Sequence, residues 1–233
     1  RYKGGDTEKE GLSSPIVGRM TEDKDGNLWI CTEGGGVNVY NRKNNTYRWY
    51  RHEEGKNSIS HNNVKAIYYD RTEEIMWIGT HLGGLNKLDL HTNRFTVYRM
   101  KAGDPATLPS DIVRDIVPYG DKLIIATQNG VCLFNPATGT CEHLFKDTKE
   151  GRNIGMVASL YIDKDETLWV SATGEGVYSY RFDTGKLTHY AHNPSIPNTL
   201  SNNNVNNIMQ DSNGNLWFST SGSGLDCYRK ESN

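Results

Sequence analysis

The sequence lacks several features that mark common classes of protein. No apolar run approaches the roughly 18–20 residues that cross a bilayer as a helix. No run of Lys or Arg occurs, and 26 basic residues face 28 acidic ones for a formal net charge of −2. Nucleic-acid binding needs a basic face that displaces counterions, so we expect none by this segment. The opening RYKGGDTEKEG has no apolar core of a signal peptide. We expect a soluble domain, cut from a longer protein.

Cysteine is scarce, and its placement argues against a zinc site. The four cysteines form no C-x-x-C pair, which is the spacing that structural zinc sites use. Cys132 and Cys141 flank the turn NPATGT and could face each other across a hairpin. Two interpretations stay open: a disulfide between these two, or four small half-buried side chains that include Cys31 and Cys227. The redox compartment does not follow from cysteine usage.

Glycine and aromatic residues are plentiful, and they recur periodically. The 24 Gly, 13 Tyr and 5 Trp favour turns and strands. An alignment on the Trp of the LWI motif gives five copies at intervals of 45 to 48 residues. Repeats of this length indicate propellers or solenoids, and no 3.6-residue apolar period supports helical repeats. The aligned residues are Trp29, Trp77, Ile124, Trp169 and Trp217.

Each copy reads as a meander of short strands. A V-x-x-I-x-x-D strand is followed by a tight Asp/Gly turn, the LWI strand, a Gly-containing turn and a third strand. A fourth strand, such as TYRWY or KLTHY, follows in four copies. This pattern predicts an all-β fold, a β-propeller of four-stranded antiparallel blades. Stacked blades bury both faces of each sheet, so the second-strand Trp or Ile and the first-strand Ile, Leu or Met should form the core between blades.

The copies found do not make up a closed ring of complete blades. We place blades at 13–59, 60–108, 109–154, 155–201 and 202–233, the last incomplete, with 1–12 as the end of a preceding blade. Either the two termini share one blade of a five-bladed ring, or the chain is part of a larger propeller. Seven blades would need about 330 residues at this period. We favour a segment of a seven-bladed propeller.

The repeat resembles a known family. VKAIYYDRTEEIMWIGTHLGGLNKLD, IVGRMTEDKDGNLWICTEGGGVNVYN and VNNIMQDSNGNLWFSTSGSGLDCY are similar to two-component-regulator propeller repeats, as are the connecting phrases SISHNNV and NTLSNNNV. The third copy departs from the motif because it lacks the Trp and one residue of the Gly turn. The fourth has Ala172 in place of the motif Thr.

The resemblance implies a role in sensing. Such repeats form the periplasmic sensor region of hybrid two-component histidine kinases of glycan-degrading gut bacteria, which are inner-membrane proteins. There, propellers and an immunoglobulin-like domain would be the partners of this segment within one protein, and the signalling form would be a homodimer. The implied ligand is an oligosaccharide. Kinase activity would lie outside this chain, so the segment itself is expected not to be an enzyme.

Enzymatic and cofactor sites are less well supported by the residues. The Gly-rich turns precede strands, whereas phosphate loops precede helices, so we expect no nucleotide cofactor. The turn DKDGN lacks the distal Glu of an EF-hand, and His189 and His192 would face opposite sides of a strand, so we expect no metal. Among the first-strand residues expected to line the axis only Asp115 is acidic, whereas glycoside hydrolysis needs two carboxylates. A polysaccharide lyase using His61, His81 and Lys65 stays an alternative, as does a protein–protein scaffold.

The best candidates for ligand contact are variable residues on one rim. In a four-stranded blade, the second-to-third turns and the loops that enter the first strand emerge on the same side. Polar planar groups there suit sugar hydroxyls. The predicted ligand-binding residues are Glu33, His61, His81, Asp115, Gln128, Glu175 and Ser221.

Overall fold

The computed structural model describes residues 5, 7–8, 11–145 and 154–230. The chain divides into two compact units, Arg1–Ile125 with Cys132–His143, and Ala126–Val131 with Leu144–Asn233. We describe each unit separately. None of the described residues forms a helix long and apolar enough to cross a membrane.

Three antiparallel sheets make up unit 1, and each runs as a meander in which sequence neighbours pair. We name these sheets blades 1, 2 and 3. The turn of blade 3 at 126–131 is assigned to unit 2. The strands are β1 Val17–Glu22, β2 Leu28–Thr32, β3 Val37–Asn41 and β4 Thr46–Tyr50; β5 Val64–Asp70, β6 Ile75–Thr80, β7 Leu85–Asp89 and β8 Arg94–Tyr98; β9 Val113–Tyr119, β10 Lys122–Thr127, β11 Gly130–Asn135 and β12 Thr140–Leu144.

Unit 2 holds a complete blade 4 and a three-stranded blade 5. The predicted all-β fold with propeller-type blades is thereby confirmed, including a fifth copy whose described part ends after its third strand. Part of the predicted 1–12 segment, the 146–153 connection and residues 231–233 lie outside the described residues, and the blade boundaries stay predictions. The strands are β13 Val157–Ile162, β14 Thr167–Ala172, β15 Gly176–Arg181 and β16 Lys186–Tyr190; β17 Val205–Gln210, β18 Leu216–Thr220 and β19 Leu225–Tyr228.

The Asp that opens the first turn of a blade is a structural residue. The Asp23 carboxylate accepts backbone hydrogen bonds from Asp25 and Asn27, at 3.0 and 2.9 Å, and an indole Nε1 bond from Trp29 at 2.8 Å. One side chain thus closes the hairpin turn and fixes the ring that enters the core. Both oxygens of Asp23 thus accept hydrogen bonds from the turn or from the indole. The indole bond recurs at Asp163–Trp169, 2.8 Å, and Asp211–Trp217, 2.9 Å.

The hydrogen bonds of this Asp turn should make the free energy of unfolding depend on pH in the acidic range. Hydrogen bonds from the Trp217 indole and the Asn215 amide lower the pKa of Asp211 from 3.8 to about 2. A depressed carboxyl pKa contributes stability that is complete above the unfolded value and is lost as the pH falls through the folded value. We expect Asp211→Asn to be less stable than the wild type at neutral pH, with the difference shrinking between pH values of about 4 and about 2.

Urea denaturation across that pH range measures the effect. Asp121→Asn, at an exposed turn residue of blade 3, is the control and should show no such convergence. A difference for Asp211→Asn that stays constant down to pH values of about 2 would show that the turn hydrogen bonds do not select the carboxylate.

A Thr–Gly bond closes the second turn of a blade. The hydroxyl of Thr32 donates to the carbonyl of Gly36 at 2.8 Å, so the last residue of the second strand ties down the start of the third. Equivalent bonds join Thr80 to Gly84 and Thr220 to Gly224, each 3.0 Å, and Thr127 to Gly130, 2.9 Å. Blade 4 has Ala172 at this position and no hydroxyl to donate, which is a physical consequence of the departure seen in the sequence.

The apolar cores form between neighbouring blades of a unit, as predicted. Between blades 1 and 2, Trp29 stacks on Tyr50 at 5.3 Å and Tyr50 meets Phe95 edge-on at 5.9 Å. Between blades 2 and 3, Trp77 packs edge-on against Phe134 at 5.5 Å. Aromatic pairs of this kind add to the stability that burial alone provides. In unit 2 the same role falls to Trp169, Tyr190, Phe218 and Tyr228.

Two core predictions need correction. Met20 occupies the first-strand core position of blade 1 but is 57% exposed, because no other sheet of unit 1 covers that face of β1, whereas its counterparts Ile67, Ile116, Leu160 and Ile208 are buried. Trp217 is only half-buried, because no further sheet of unit 2 packs beyond blade 5.

Candidate functional site

The loops and turns of blades 1 and 2 bring six residues together at one end of unit 1. We call them the rim cluster: Glu33, His61, Asn63, Lys65, His81 and Leu82. Two backbone bonds build it: the Gly36 amide donates to the Asn62 carbonyl at 2.8 Å, and the His81 amide donates to the Asn63 carbonyl at 2.9 Å. The second-to-third turns of both blades are thereby fixed to the loop that enters β5.

Lys65 is aimed by a β-bulge. Val64 pairs with Thr80 and Ala66 pairs with Gly79, so Lys65 is left without a partner of its own across β5 and β6. Bulges re-aim side chains and are frequent beside functional sites. The Lys65 ammonium forms an ion pair with the Glu33 carboxylate of blade 1, and that hydrogen bond lowers the pKa of Glu33.

Two histidines stand next to this ion pair. The backbone N–H of Asn63 donates to Nδ1 of His61 at 3.0 Å, which fixes that ring beside the entry to β5. Burial lowers the pKa of His81, and the nearby charges of Lys65, His61 and Arg114 lower it further. These effects favour the neutral imidazole of His81, which can both donate and accept a hydrogen bond.

Asn63 contributes an unused acceptor. Its Oδ1 atom is buried, and it is the one buried side-chain oxygen or nitrogen within the described ranges that has no hydrogen-bond partner. Buried polar atoms are nearly always paired, so an orphan invites an explanation in terms of a bound water or ligand group. Sequence reasoning missed this residue because nothing in NNV distinguishes Asn63 from Asn62.

Leu82 is strained and exposed. Its φ is +74°, and it is 57% exposed. The equivalent turn position in blades 1, 4 and 5 is glycine, at Gly34, Gly174 and Gly222, with φ of +78°, +80° and +88°. A left-handed conformation costs an L-residue roughly 1–2 kcal/mol, and outliers of this kind cluster at functional sites. The same turn closes with glycine in those three blades, so folding does not require a leucine here.

Replacing Leu82 with glycine should therefore stabilise the free protein. Relief of the left-handed strain outweighs the greater chain entropy of glycine, for a gain of about 0.5–1 kcal/mol in the free energy of unfolding. Leu225→Gly is the matched control, since Leu225 is 58% exposed but lies in strand β19, where glycine is unfavourable. Urea denaturation should shift the two midpoints in opposite directions, and a loss of stability for Leu82→Gly would contradict the strain.

Asp115 lies in a different environment from the rim cluster. It is 1% exposed, and its Oδ2 atom is 2.7 Å from the Nη2 atom of Arg19. Strand β5 lies between β1 and β9, so the Arg19 side chain reaches past the small Ala66. Asp115 is therefore buried within an ion pair, and its part in ligand binding stays a prediction.

The remaining predicted residues lie in unit 2 and are not part of the rim cluster. The Glu175 carboxylate accepts the Tyr178 hydroxyl at 2.7 Å, and its carbonyl contacts His189 Nε2 at 2.7 Å. Ser221 is exposed on the β18–β19 turn, and its amide donates to the Asn204 carbonyl at 2.8 Å. Gln128 is half-buried on the β10–β11 turn. Their part in ligand binding stays a prediction.

A cavity of about 470 Å³ lies in unit 2 beside the turns that join the first and second strands of blades 4 and 5. Three cations and one acid line it, together with Gln210, Asn213, Gly214 and Asn215; the charged residues are Lys164, Asp165, Arg229 and Lys230. Lys230 is held by ion pairs to Asp163 and Asp165. Within the described part of the chain, no group of three His, Cys, Asp or Glu residues could hold a metal ion.

The sheets and their turn chemistry define the protein as a β-propeller of short meander blades. Residues 11–34 and 199–222 match the family described as the two-component regulator propeller. The chain thus contains two-component regulator propeller repeats, which confirms the resemblance noted in the sequence.

Similar proteins agree with this assignment. The chain is 30% identical over 212 residues to Histidine kinase P4 of Formosa agariphila, covering 90% of this chain and 12% of that protein. The extracellular domain of a hybrid two-component system from B. thetaiotaomicron superimposes with a TM-score of 0.82 at 25% identity, covering 99% of this chain and 31% of that one. Virginiamycin B lyase from Staphylococcus aureus shares the fold alone, with a TM-score of 0.65 at 14% identity over 96% of this chain and 74% of the lyase. The chain therefore spans well under half of the kinase and of the two-component domain.

Proposed function

We propose that this chain is an extracytoplasmic sensory propeller segment of a hybrid two-component system, and that its rim cluster binds an oligosaccharide. The likeness to the extracellular domain from B. thetaiotaomicron and to a histidine kinase supports the setting, which would be periplasmic. The segment would sense a ligand, while phosphoryl transfer would occur in a kinase domain of the same protein.

The main support for this binding site is Leu82, which is exposed in a left-handed conformation next to His81. An apolar side chain flanked by imidazoles, an amide acceptor and a Lys–Glu ion pair matches what a sugar presents, which is an apolar ring face edged by hydroxyls. In the proposed complex, Nζ of Lys65 would donate to one of these hydroxyls, and the buried, unpaired Oδ1 of Asn63 would accept from a bridging water or from a second hydroxyl. With Lys65 and the neighbouring Arg114 close by, saccharides that carry carboxylate or sulfate groups belong in the first panel tested.

Signalling would follow from a shift in population. Ligand binding can change an equilibrium between two arrangements of a protein only by its difference in affinity for the two. The rim cluster joins blade 1 to blade 2 through the Glu33–Lys65 pair and the Gly36–Asn62 bond. A ligand seated there would favour one arrangement of these loops, and neighbouring domains of the intact protein would read it.

A thermal-shift screen against neutral and acidic oligosaccharides tests the proposal. We expect at least one saccharide to raise the melting temperature and to be recovered intact by chromatography. Recovery of shortened or unsaturated products would favour the alternative of a propeller lyase or hydrolase. Stabilisation by no saccharide would count against binding by this segment and would leave a protein-interaction scaffold as the better explanation.

Substituting Lys65 should weaken binding of the saccharide found in that screen. Loss of a charged hydrogen-bond donor costs about 1.5–3 kcal/mol, so Lys65→Ala should bind at least about tenfold more weakly by calorimetry. Lys56→Ala is the matched control, because Lys56 also pairs with an exposed glutamate, Glu53, but lies outside the cluster. Both variants should fold with nearly wild-type stability, since exposed ion pairs contribute about 0–1 kcal/mol. Equal affinity of the two variants would move the site elsewhere.

A further inference from the structure

Two cysteine thiols face each other inside unit 1. Cys132 lies in β11 and Cys141 in β12, and their Sγ atoms are 3.0 Å apart. Both are buried in the core shared by blades 2 and 3. The prediction of four half-buried cysteines is wrong, because only Cys227 is exposed. A disulfide bond is about 2.05 Å long, so the two sulfurs need to approach by only about 1 Å to bond.

The sequence of blade 3 explains why a pair of thiols stands here. In blades 1 and 2 the equivalent third-strand residue is an asparagine. Asn86 bonds the amide and hydroxyl of Ser60 at 2.9 and 2.8 Å, and Asn38 does the same with Ser13. Blade 3 has Pro109 at the serine position, which offers neither N–H nor hydroxyl. Cys132 therefore does not bond the loop as Asn38 and Asn86 do, and its thiol contacts Cys141 on β12 instead.

The other cysteines offer no competing pair. Cys31 is buried in the core between blades 1 and 2, where burial raises its pKa to about 12. Cys227 lies in β19 of unit 2. Across the described ranges, which contain all four cysteines, Cys132 and Cys141 are the one pair in which a thiol contacts another thiol.

We propose that Cys132 and Cys141 are a site of oxidative modification and form a disulfide that joins β11 to β12. The oxidant is a disulfide of a small thiol or of a thiol oxidoreductase. One cysteine thiolate attacks it and displaces one thiolate. The second cysteine thiolate then attacks the resulting mixed disulfide and displaces the other. Two cysteine protons are released, two thiolates of the oxidant take up two protons, and the oxidant gains the two electrons that the cysteines lose.

Burial of the two thiols determines when the disulfide can form. Desolvation raises the pKa of the Cys132 thiol well above its usual value, and the thiolate is the reacting form. The bond is therefore made while blade 3 folds. That it forms in the cell rests on the proposed extracytoplasmic setting, since disulfides persist in oxidising compartments, whereas its formation in vitro does not.

Refolding in a glutathione redox buffer tests the site. The reduced, denatured chain is refolded with oxidised and reduced glutathione, denatured again without reductant, alkylated and weighed. We expect two alkyl groups rather than four, and a peptide map that links Cys132 to Cys141. The cross-linked form should melt about 5 °C above the reduced form. Cys31→Ser should keep the cross-link, and Cys132→Ser should abolish it.

Four alkyl groups at every glutathione ratio, or links made only through Cys227, would overturn the assignment. The wild-type alkylation count decides this even if a variant fails to fold. A disulfide that forms on refolding but is absent from protein exported to a bacterial periplasm would refute the proposed occurrence in the cell and leave the chemical site intact. Absence of saccharide binding would leave both results unchanged.

Discussion

Replacing Trp77 with alanine is expected to lower the free energy of unfolding by about 3–5 kcal/mol, the usual cost of deleting a large buried aromatic side chain. Trp77 is 1% exposed and lies in the core between blades 2 and 3. Its ring lies 5.5 Å from Phe134 and 6.2 Å from Tyr98. Removal leaves a cavity that two flanking sheets, held by their own hydrogen-bond ladders, can close only in part.

Trp217→Ala is the matched control for this prediction. Trp217 occupies the same motif position in blade 5, but it is half-buried, so less apolar area is lost from the core. Urea denaturation should show a clearly smaller loss for Trp217→Ala, even though its indole bond to Asp211 is also removed. Equal losses would mean that the core between blades is not what distinguishes the two positions.

Replacing Gly84 with alanine should be similarly severe, with a loss above about 4 kcal/mol. A Cβ atom built on Gly84 lies 2.2 Å from the carbonyl oxygen of Tyr98 on β8. The φ of Gly84 is +75°, so left-handed strain of roughly 1–2 kcal/mol adds to the clash. The obstacle is backbone, and relief requires β8 to separate from β7.

The fifth blade supplies an internal control. Gly224 has the same motif position and a φ of +84°, but nothing lies within 4 Å of a Cβ built there, because the described part of blade 5 has no fourth strand. Gly224→Ala should therefore show the backbone strain alone, about 1–2 kcal/mol. If both variants lost the same stability, close packing of the turn against the fourth strand would not explain the glycine.

Most of the fold was predictable from the sequence repeat. Strand order, the Asp and Gly turns and the core tryptophans could be predicted, because each copy repeats the same local chemistry. Local chemistry is also what the structure shows at Asp23, whose carboxylate serves its own turn and the Trp29 indole. Met20 escaped prediction because its burial depends on what covers the sheet, and no pattern within one repeat reports that.

The site was predictable only in part. Glu33, His61 and His81 could be placed on one rim from blade topology, whereas the ion pair of Arg19 with Asp115 could not, since it joins strands 96 residues apart in sequence. The bulge at Lys65 and the unpaired Asn63 oxygen depend on register and packing. Leu82 was visible in the sequence as a leucine at a position that is glycine in blades 1, 4 and 5. Its left-handed backbone conformation became known only from the structure.

We propose that ligand recognition lies in the variable residues of the rim cluster, on a scaffold of repeated blades. Amide hydrogen exchange, measured with and without the saccharide that stabilises the protein most, tests it directly. We expect slower exchange at residues 33–36, 61–65 and 80–84, and weaker binding by Leu82→Gly although this variant is more stable. Protection confined to the first turns of blades 4 and 5, around Lys164 and Gly214, or tighter binding by Leu82→Gly, would refute this proposal.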